Sequence, residues 1–230
     1  KLQEQGIKLV HADLKDVGGV KKACQFLKDK CRNWEFLVMA PGAQEPIGAF
    51  AECDFDQWKE SVSVNLLEQL RILHELLPFK NNTLPLKPLV LFFAGGGTNN
   101  ATSCYSAYTI SKIASIKMME LLDAEIPDIR FSIMGPGWVK TKIHKATLNA
   151  KDKAGDNYLK TIEKLEGNEC NPMERVLDCC DWMMTSPREV ISGRNFSCVF
   201  DQWDNPELVK VLKEDGNIYK LRRFGNDCLT

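Results

Sequence analysis

The sequence lacks the features of a membrane-spanning or nucleic-acid-binding chain. No apolar run approaches the roughly 20 residues that a membrane helix needs, and the run from Leu89 to Ala94 has only the length of a strand. The formal net charge is −1, so neither sign of charge is in excess. We therefore predict a protein without a membrane or nucleic-acid partner.

The cysteines and histidines favour neither a disulfide framework nor a metal site. The nine cysteines are scattered and contain no Cys-x-x-Cys pair; Cys179 and Cys180 are adjacent, which seldom allows a good bridge. We expect reduced thiols and a cytoplasmic protein. The three histidines, His11, His74 and His144, have no ligand spacing to one another or to a cysteine, so we predict no catalytic metal.

Short apolar segments alternate with amphipathic ones, the pattern of a parallel sheet covered by helices on both faces. With 230 residues, 44% of them hydrophobic, the chain is long enough to bury one core. We predict a single α/β domain, 1–230, with a doubly wound sheet. The predicted strands are Ile7–Val10, Phe36–Met39, Leu89–Phe93, Ile129–Met134 and Phe196–Phe200. The predicted helices lie near residues 17–31, 58–77, 106–125, 157–165, 174–184 and 206–213.

The pair Tyr108 and Lys112 carries most of the functional information. Residues four apart on a helix lie on one face, so the phenol and the ammonium should be neighbours. A positive charge favours phenolate over phenol, so we expect Lys112 to lower the pKa of Tyr108 and make it an acid–base group. Taken alone, the same spacing also fits an ordinary amphipathic surface pair.

Further motifs stand before and after this pair in a characteristic order. Asn65 lies within a predicted helix upstream, and Pro136-Gly137, followed by Thr141, comes directly after a predicted strand. With Asp13 near a strand end and the Ala40-Pro-Gly42 turn, the order resembles that of the short-chain dehydrogenase/reductase family. The resemblance extends from Lys1 to about Asp204. It implies a Rossmann-like sheet and a reaction between a carbonyl and an alcohol that uses NAD or NADP.

The resemblance also implies roles for individual residues. Tyr108 would be the acid–base group, Lys112 would bind the nicotinamide ribose, and Asn65 would hold a water on a proton path to solvent. The cofactor-binding residues would be Asp13, Leu14, Gly42, Tyr108, Lys112, Pro136, Gly137, Val139 and Thr141. Three alternatives stay open: Asp13 as the cap of the next helix, Asn65 as a polar residue that bends its helix, and residues 136–141 as a plain loop.

Two departures from the family pattern affect the predicted activity. Gly95 stands where the family has a catalytic serine, so Thr98 or backbone amides would have to replace that donor, or the enzyme is weak or inactive. Met39 and Ala40 stand where the family usually has asparagines. The alternative to an enzyme is therefore a non-catalytic relative that senses dinucleotide or acts as a scaffold.

The beginning of the sequence departs from the family as well. Lys1–Gly6 reads as the end of a helix and Ile7–Val10 as the family's third strand. No Gly-x-x-x-Gly-x-Gly turn occurs between Lys1 and Asp54. We therefore expect the first βαβ part, roughly 40 residues, to be missing. On that expectation, these residues alone would fold poorly and bind dinucleotide weakly.

The polar segment 138–171 is predicted to be a lid over the substrate site. It carries the basic cluster Lys140, Lys142, His144 and Lys145, which fits either a phosphate or carboxylate of a bulky substrate or simply a solvated lid. The cluster and the resemblance of the ending Ser192–Trp203 to bacterial surface-glycan members favour a sugar or nucleotide-sugar substrate. Family members pair through the helices matching those of Trp58 and Tyr108, which implies a homodimer or homotetramer.

Overall fold

A computed structural model describes residues 5–167 and 169–224. Four strands and nine α-helices occur in this part of the chain. The strands are β1 Phe36–Met39, β2 Leu89–Phe93, β3 Arg130–Gly135 and β4 Arg194–Ser197. The helices are α1 Val17–Lys30, α2 Phe55–Val62, α3 Glu68–Leu76, α4 Ser106–Glu125, α5 Lys145–Ala150, α6 Asn157–Glu166, α7 Met173–Thr185, α8 Arg188–Ile191 and α9 Pro206–Glu214. None of them is long and apolar enough to cross a membrane.

The four strands form one parallel sheet in the order β1-β2-β3-β4. Met39 pairs with Phe92, and Phe93 pairs with Met134, so the strands end in register at one edge. In open parallel sheets, ligands bind at the carboxyl edge. The loops that follow β1, β2 and β3 therefore meet where a site is expected.

The sheet is covered on both faces, as the alternation of side chains along β2 shows. Leu89 and Leu91 pack with residues of α7 and α8, whereas Val90 and Phe92 pack with residues of α3 and α4. Because successive strand residues point to opposite faces, one strand contributes to two cores. The predicted α/β class with a doubly wound parallel sheet is confirmed.

Two of the predicted strands do not lie where the sequence placed them. Ile7–Val10 is exposed and forms no strand, since none of the described strands offers it a ladder of backbone hydrogen bonds. The last strand is β4, Arg194–Ser197, and not Phe196–Phe200. The chain turns after Ser197, whose amide donates to the Asp201 carboxylate over 2.7 Å, and Phe200 is 88% exposed.

The predicted helix at 58–77 is interrupted in its middle. A π-helical turn, Ser63–Leu67, separates α2 from α3. A π turn inserts one extra residue per turn and often marks a functional position. The helix predicted to end at Gly6 falls largely on residues 1–4, outside the described residues.

Candidate active site

Helix α4 holds Tyr108 and Lys112 against the end of β2. Trp58 Nε1 donates to Ser106 Oγ over 2.9 Å, which ties α2 to the first turn of α4. The Lys112 ammonium donates to the Phe93 carbonyl over 2.9 Å and lies 5.7 Å from the centroid of the Tyr108 ring. Lys112 is only 4% exposed. The pair therefore faces the sheet and is not a solvated surface pair.

Burial sets the protonation of both groups. It raises the pKa of the Tyr108 phenol to about 12 and lowers the pKa of the Lys112 ammonium to about 8. The expectation that Lys112 lowers the pKa of Tyr108 was therefore wrong for this arrangement. The ammonium approaches the ring without a hydrogen bond to the hydroxyl, and desolvation of both charged forms dominates.

Gly95 lies directly beneath the Tyr108 ring. A Cβ added to Gly95 would lie 2.7 Å from Tyr108 Cε1, 2.8 Å from the Tyr108 hydroxyl and 3.0 Å from Lys112 Cγ. Such contacts are shorter than van der Waals separations. The phenol thus occupies the space of any side chain at position 95, where the sequence resemblance places a serine.

The proposed replacements for that serine lie further along the same turn. Thr98 is half-buried. Gly97, between Gly95 and Thr98, has a φ of +99°, and a Cβ there would lie 2.5 Å from Thr109 Cγ2. Only glycine adopts this conformation readily. Whether Thr98 or a backbone amide replaces the serine stays a prediction.

Asn65 anchors the turn after β1 from inside the π-helical segment. Its Oδ1 accepts from the Ala43 amide over 3.0 Å, and its Nδ2 donates to the Ala43 and Ser61 carbonyls over 2.8 and 2.9 Å. Asn65 is fully buried. Gln69, which the sequence reasoning missed, adds a bond from its Nε2 to the Pro41 carbonyl over 3.2 Å. Asn65 therefore both lies in the distorted turn and fixes the loop after β1.

Gly42 lies where Asn65 and Lys112 come together. A Cβ on Gly42 would lie 3.9 Å from Asn65 Oδ1, 4.0 Å from Lys112 Nζ and 3.6 Å from Ile143 Cδ1. Four of the predicted residues, Gly42, Asn65, Tyr108 and Lys112, thus share one region at the carboxyl edge. Ile143 was not predicted, because nothing in the sequence places the lid against Gly42.

The loop after β3 is held by a residue that sequence reasoning overlooked. Asn171 donates from Nδ2 to the Pro136 carbonyl over 2.7 Å and from its amide to the Trp138 carbonyl over 2.6 Å. Gly137 has a φ of +75°, and a Cβ there would collide with Val199 Cγ2. The loop beginning at Pro136 is therefore braced from the chain around Asn171 and Val199.

Val139 and Thr141 follow in the same loop. Val139 lines a cavity of ≈ 300 Å³ together with Lys140 and residues 170–173, and its carbonyl accepts from His144 Nε2 over 2.9 Å. Thr141 is exposed. The cavity therefore lies beside the loop that follows β3.

Asp13 and Leu14 lie on a surface segment. Asp13 Oδ1 accepts from the Lys15 amide over 3.0 Å, and the N-cap residue of α1 is Asp16, so Asp13 does not cap that helix. Lys15 forms an ion pair with Glu60 of α2. Among the contacts of the described residues, none joins Asp13 or Leu14 to Tyr108, Lys112 or Asn65.

The lid segment packs on the loops around the site. Thr147 of α5 donates to Gln44 Oε1 over 3.1 Å and, with its proton so used, accepts from the Tyr105 hydroxyl over 2.8 Å. His144 is 9% exposed and stacks on Trp138, with ring centroids 5.0 Å apart. His144 therefore belongs to the packing of the lid and not to an exposed basic cluster. The lysines of that cluster, at 140, 142 and 145, are exposed.

Within the described residues, the cysteines and the potential metal ligands are not arranged as disulfides or metal centres. The eight cysteines within the described ranges are free. In the same ranges, no three His, Cys, Asp or Glu side chains form a group that would hold a metal ion.

Comparison with known proteins identifies the family. Residues 1–152, about two thirds of the chain, match the family described as short chain dehydrogenase. The chain belongs to the short-chain dehydrogenase family. The resemblance read from the Tyr108 and Lys112 motif is thereby confirmed.

Individual relatives are distant, and solved structures share the fold. An uncharacterized oxidoreductase of Schizosaccharomyces pombe is 24% identical over 159 residues, which are 67% of this chain and 62% of the relative's length. A short-chain dehydrogenase/reductase of Saccharomyces cerevisiae superposes with a TM-score of 0.70 at 19% identity, over 87% of this chain and 78% of that one. A Shigella flexneri short chain dehydrogenase, solved with NADP, gives a TM-score of 0.62 at 15% identity, over 84% and 73% of the two chains.

Proposed function

We propose that the protein is an NAD(P)-dependent oxidoreductase that interconverts a carbonyl and an alcohol on a small molecule. The convergence of Tyr108, Lys112, Asn65 and Gly42 at the carboxyl edge of a parallel sheet carries the proposal. Membership of the short-chain dehydrogenase family supports the same class of reaction. The reduced nicotinamide would supply the hydride, and the side chains of this protein would handle the proton.

The donor set around Lys112 fits the ribose of a dinucleotide. An ammonium has three protons, and the hydrogen bond to the Phe93 carbonyl uses one of them. Two donors of a nearly buried cation thus stay available beside Gly42, where the backbone allows close approach. We assign them to the ribose hydroxyls. Pro136, Gly137, Val139 and Thr141 would hold the nicotinamide end, and Asp13 and Leu14 the adenine end.

Tyr108 is the proton donor in the direction of reduction. Its raised pKa keeps the phenol neutral across the physiological range, the state in which it donates to a developing alkoxide. In oxidation it would take the proton of the alcohol. Asn65 and Lys112 both border Gly42, and we assign to Asn65 the water that connects the ammonium to solvent.

The lid, residues 138–171, supports a proposal about substrate class. Ile143 reaches Gly42, so the lid covers the site. Its lysines at 140, 142 and 145 are exposed, and Lys140 lines the cavity beside the loop after β3. Cations at the mouth of a cleft attract anionic substrates. We propose a sugar or nucleotide-sugar as substrate.

Turnover with matched variants tests the proposed function. The assay follows loss of reduced-nicotinamide absorbance with NADH or NADPH and a panel of aldoses, nucleotide-sugars and simple ketones. Tyr108→Phe should lower kcat by about 100-fold or more, because it removes the only proposed proton donor. Lys112→Met should weaken cofactor binding and turnover, whereas Lys117→Met, on the exposed side of the same helix, should leave both unchanged.

The second candidate is a non-catalytic protein that senses dinucleotide or acts as a scaffold. The glycine at position 95 favours it, because one donor to the substrate oxygen is absent and such a donor is typically worth on the order of 100-fold in rate. Binding and turnover of wild type and Tyr108→Phe distinguish the two functions. If wild type and Tyr108→Phe bind dinucleotide equally and neither turns over any substrate of the panel, the enzyme proposal fails and the sensor stands.

A further inference from the structure

We propose that Gly95 is a positioning residue: the side chain it lacks leaves a space beside the backbone, and the phenol of Tyr108 fills that space. The inference rests on the proposed function, because the position of this hydroxyl matters for catalysis only if Tyr108 is the acid. It assigns to Gly95 a role beyond that of an absent serine.

The backbone at position 95 does not itself require glycine. The glycines of the chain that need a left-handed backbone have positive φ, as Gly97 and Gly137 do, and Gly95 does not belong to that group. Its φ therefore lies outside the left-handed region that favours glycine. What excludes a side chain is Tyr108, whose ring and hydroxyl would lie 2.7 and 2.8 Å from the new Cβ.

The residue at position 95 affects the chemistry because it decides where the Tyr108 hydroxyl lies. The phenol lies against the Gly95 backbone and is shielded there from water, and Lys112 packs beside it, with its Cγ 3.0 Å from the same Cβ position. A tyrosine ring that has to clear a β-carbon would lie further out. Burial of the phenol, and with it the pH at which it ionises, is therefore set by the residue at position 95.

Gly96 provides a matched control. A Cβ on Gly96 meets nothing within 4 Å, and this glycine also lacks a positive φ. Gly96→Ala therefore adds the same methyl group to the same turn without touching Tyr108. Differences between the two alanine variants report the contact with Tyr108 and not the stiffening of the turn.

The first experiment is NMR on the full chain with labelled tyrosines and glycines. Tyr108→Phe assigns the tyrosine signal. Wild type and Gly96→Ala should show a nuclear Overhauser effect between the Gly95 α-protons and the Tyr108 ring, and with a pKa of about 12 only about a tenth of Tyr108 should be ionised at pH 11. In Gly95→Ala the ring signal should move, and ionisation should begin about one pH unit or more lower. Absence of the Overhauser effect in wild type, or identical Tyr108 titrations in all three proteins, would overturn the proposal.

A double-mutant cycle covers the case in which Gly95→Ala folds poorly. Tyr108→Ala removes the ring and hydroxyl contacts and leaves only Lys112 Cγ close to the new methyl group, so adding Gly95→Ala to it should lower the urea midpoint much less than the same change does in the wild-type background. An equal loss in both backgrounds would show that Tyr108 is not the obstacle. Neither experiment requires turnover, so a failure of the proposed function would not be mistaken for a failure of this inference.

Discussion

The side chain of Asn65 forms a two-way hydrogen-bonded pair with the backbone of Ala43. Its Oδ1 accepts from the Ala43 amide over 3.0 Å, and its Nδ2 donates to the Ala43 carbonyl over 2.8 Å. This pairing imitates a β-ladder bond and locks the loop after β1 to the π-helical turn. Gly42, one residue earlier, is thereby held beside Lys112.

Asn65→Leu should therefore destabilise the protein strongly. The substitution removes the bonds to Ala43 and Ser61 and leaves the partly buried amide and carbonyl of Ala43 without these partners, at about 1–3 kcal/mol for each. We expect a loss of at least about 2 kcal/mol in the free energy of unfolding, measured by urea denaturation. Asn100→Ala, at an exposed asparagine, should be neutral. An Asn65→Leu variant as stable as wild type would show that the pairing contributes nothing.

Lys112 should make stability rise with pH in an alkaline window. The folded protein releases this proton at about pH 8, whereas the unfolded chain holds it to about 10.5. Between these values the unfolded state binds more protons, so the free energy of unfolding increases with pH, by up to about 3 kcal/mol. Tyr108 has the opposite effect between pH 10 and about 12: there the folded state keeps the proton, so the free energy of unfolding decreases as the pH rises.

Urea denaturation at a series of pH values between 8 and 10.5 compares wild type with Lys112→Met. The free energy of unfolding of Lys112→Met should not increase with pH, while that of Lys117→Met should increase as in wild type. The same pH dependence in wild type and Lys112→Met would contradict the assignment of the titration to Lys112.

The rate of carbonyl reduction should follow the charge of Lys112. Tyr108 stays protonated up to about pH 12, so the acid itself imposes no limit near neutrality. Lys112 loses its charge at about pH 8 and with it the attraction for ribose oxygens. The profile of kcat/KM for the free enzyme should be flat below about pH 8 and fall above it. A profile that continues to rise well above that pH would argue against this role of the ammonium.

Thr147 should control how firmly the lid is held. Thr147→Val keeps the shape of the side chain but breaks the link from Tyr105 to Gln44, at a cost of about 1–2 kcal/mol. We expect faster hydrogen exchange in α5 and a higher KM. Thr161→Val is the matched control, because among the described residues that buried hydroxyl bonds only within α6, to the Asn157 carbonyl. Equal rates of hydrogen exchange in α5 of the two variants would show that the Tyr105–Thr147–Gln44 hydrogen bonds do not hold the lid.

Helices α2 and α4 should carry the contact between subunits. Phe55, Ile110 and Leu121 are 62%, 51% and 46% exposed on these two helices. Helices α2 and α4 pack against each other, and exposed apolar side chains on adjoining helices favour association. Sedimentation should show a dimer or tetramer that Ile110→Asp shifts toward monomer. Leu177→Asp, at a residue 56% exposed on α7, should leave the state unchanged. A monomeric wild type would refute this prediction.

Local patterns alone were enough to predict much of this fold. The strands Phe36–Met39 and Leu89–Phe93 and the helix Ser106–Glu125 lie where the sequence placed them, because apolar runs and helical periodicity are properties of neighbouring residues. The same periodicity put Tyr108 and Lys112 on one face. Ile7–Val10 is apolar at three of its four positions, yet a strand needs a partner ladder that local sequence does not supply.

The tertiary structure alone decided the chemistry at the site. The spacing of Tyr108 and Lys112 in the sequence predicts that a phenol and an ammonium are neighbours on a helix, but it does not predict whether water reaches them. Packing against Gly95 and the end of β2 buries both groups, and desolvation then reverses the expected direction of the Tyr108 pKa. The contacts of Asn65 with Ala43, of Asn171 with Pro136 and of Thr147 with Gln44 join residues 22, 35 and 103 positions apart. Such contacts depend on how distant segments fold together, which no local pattern encodes.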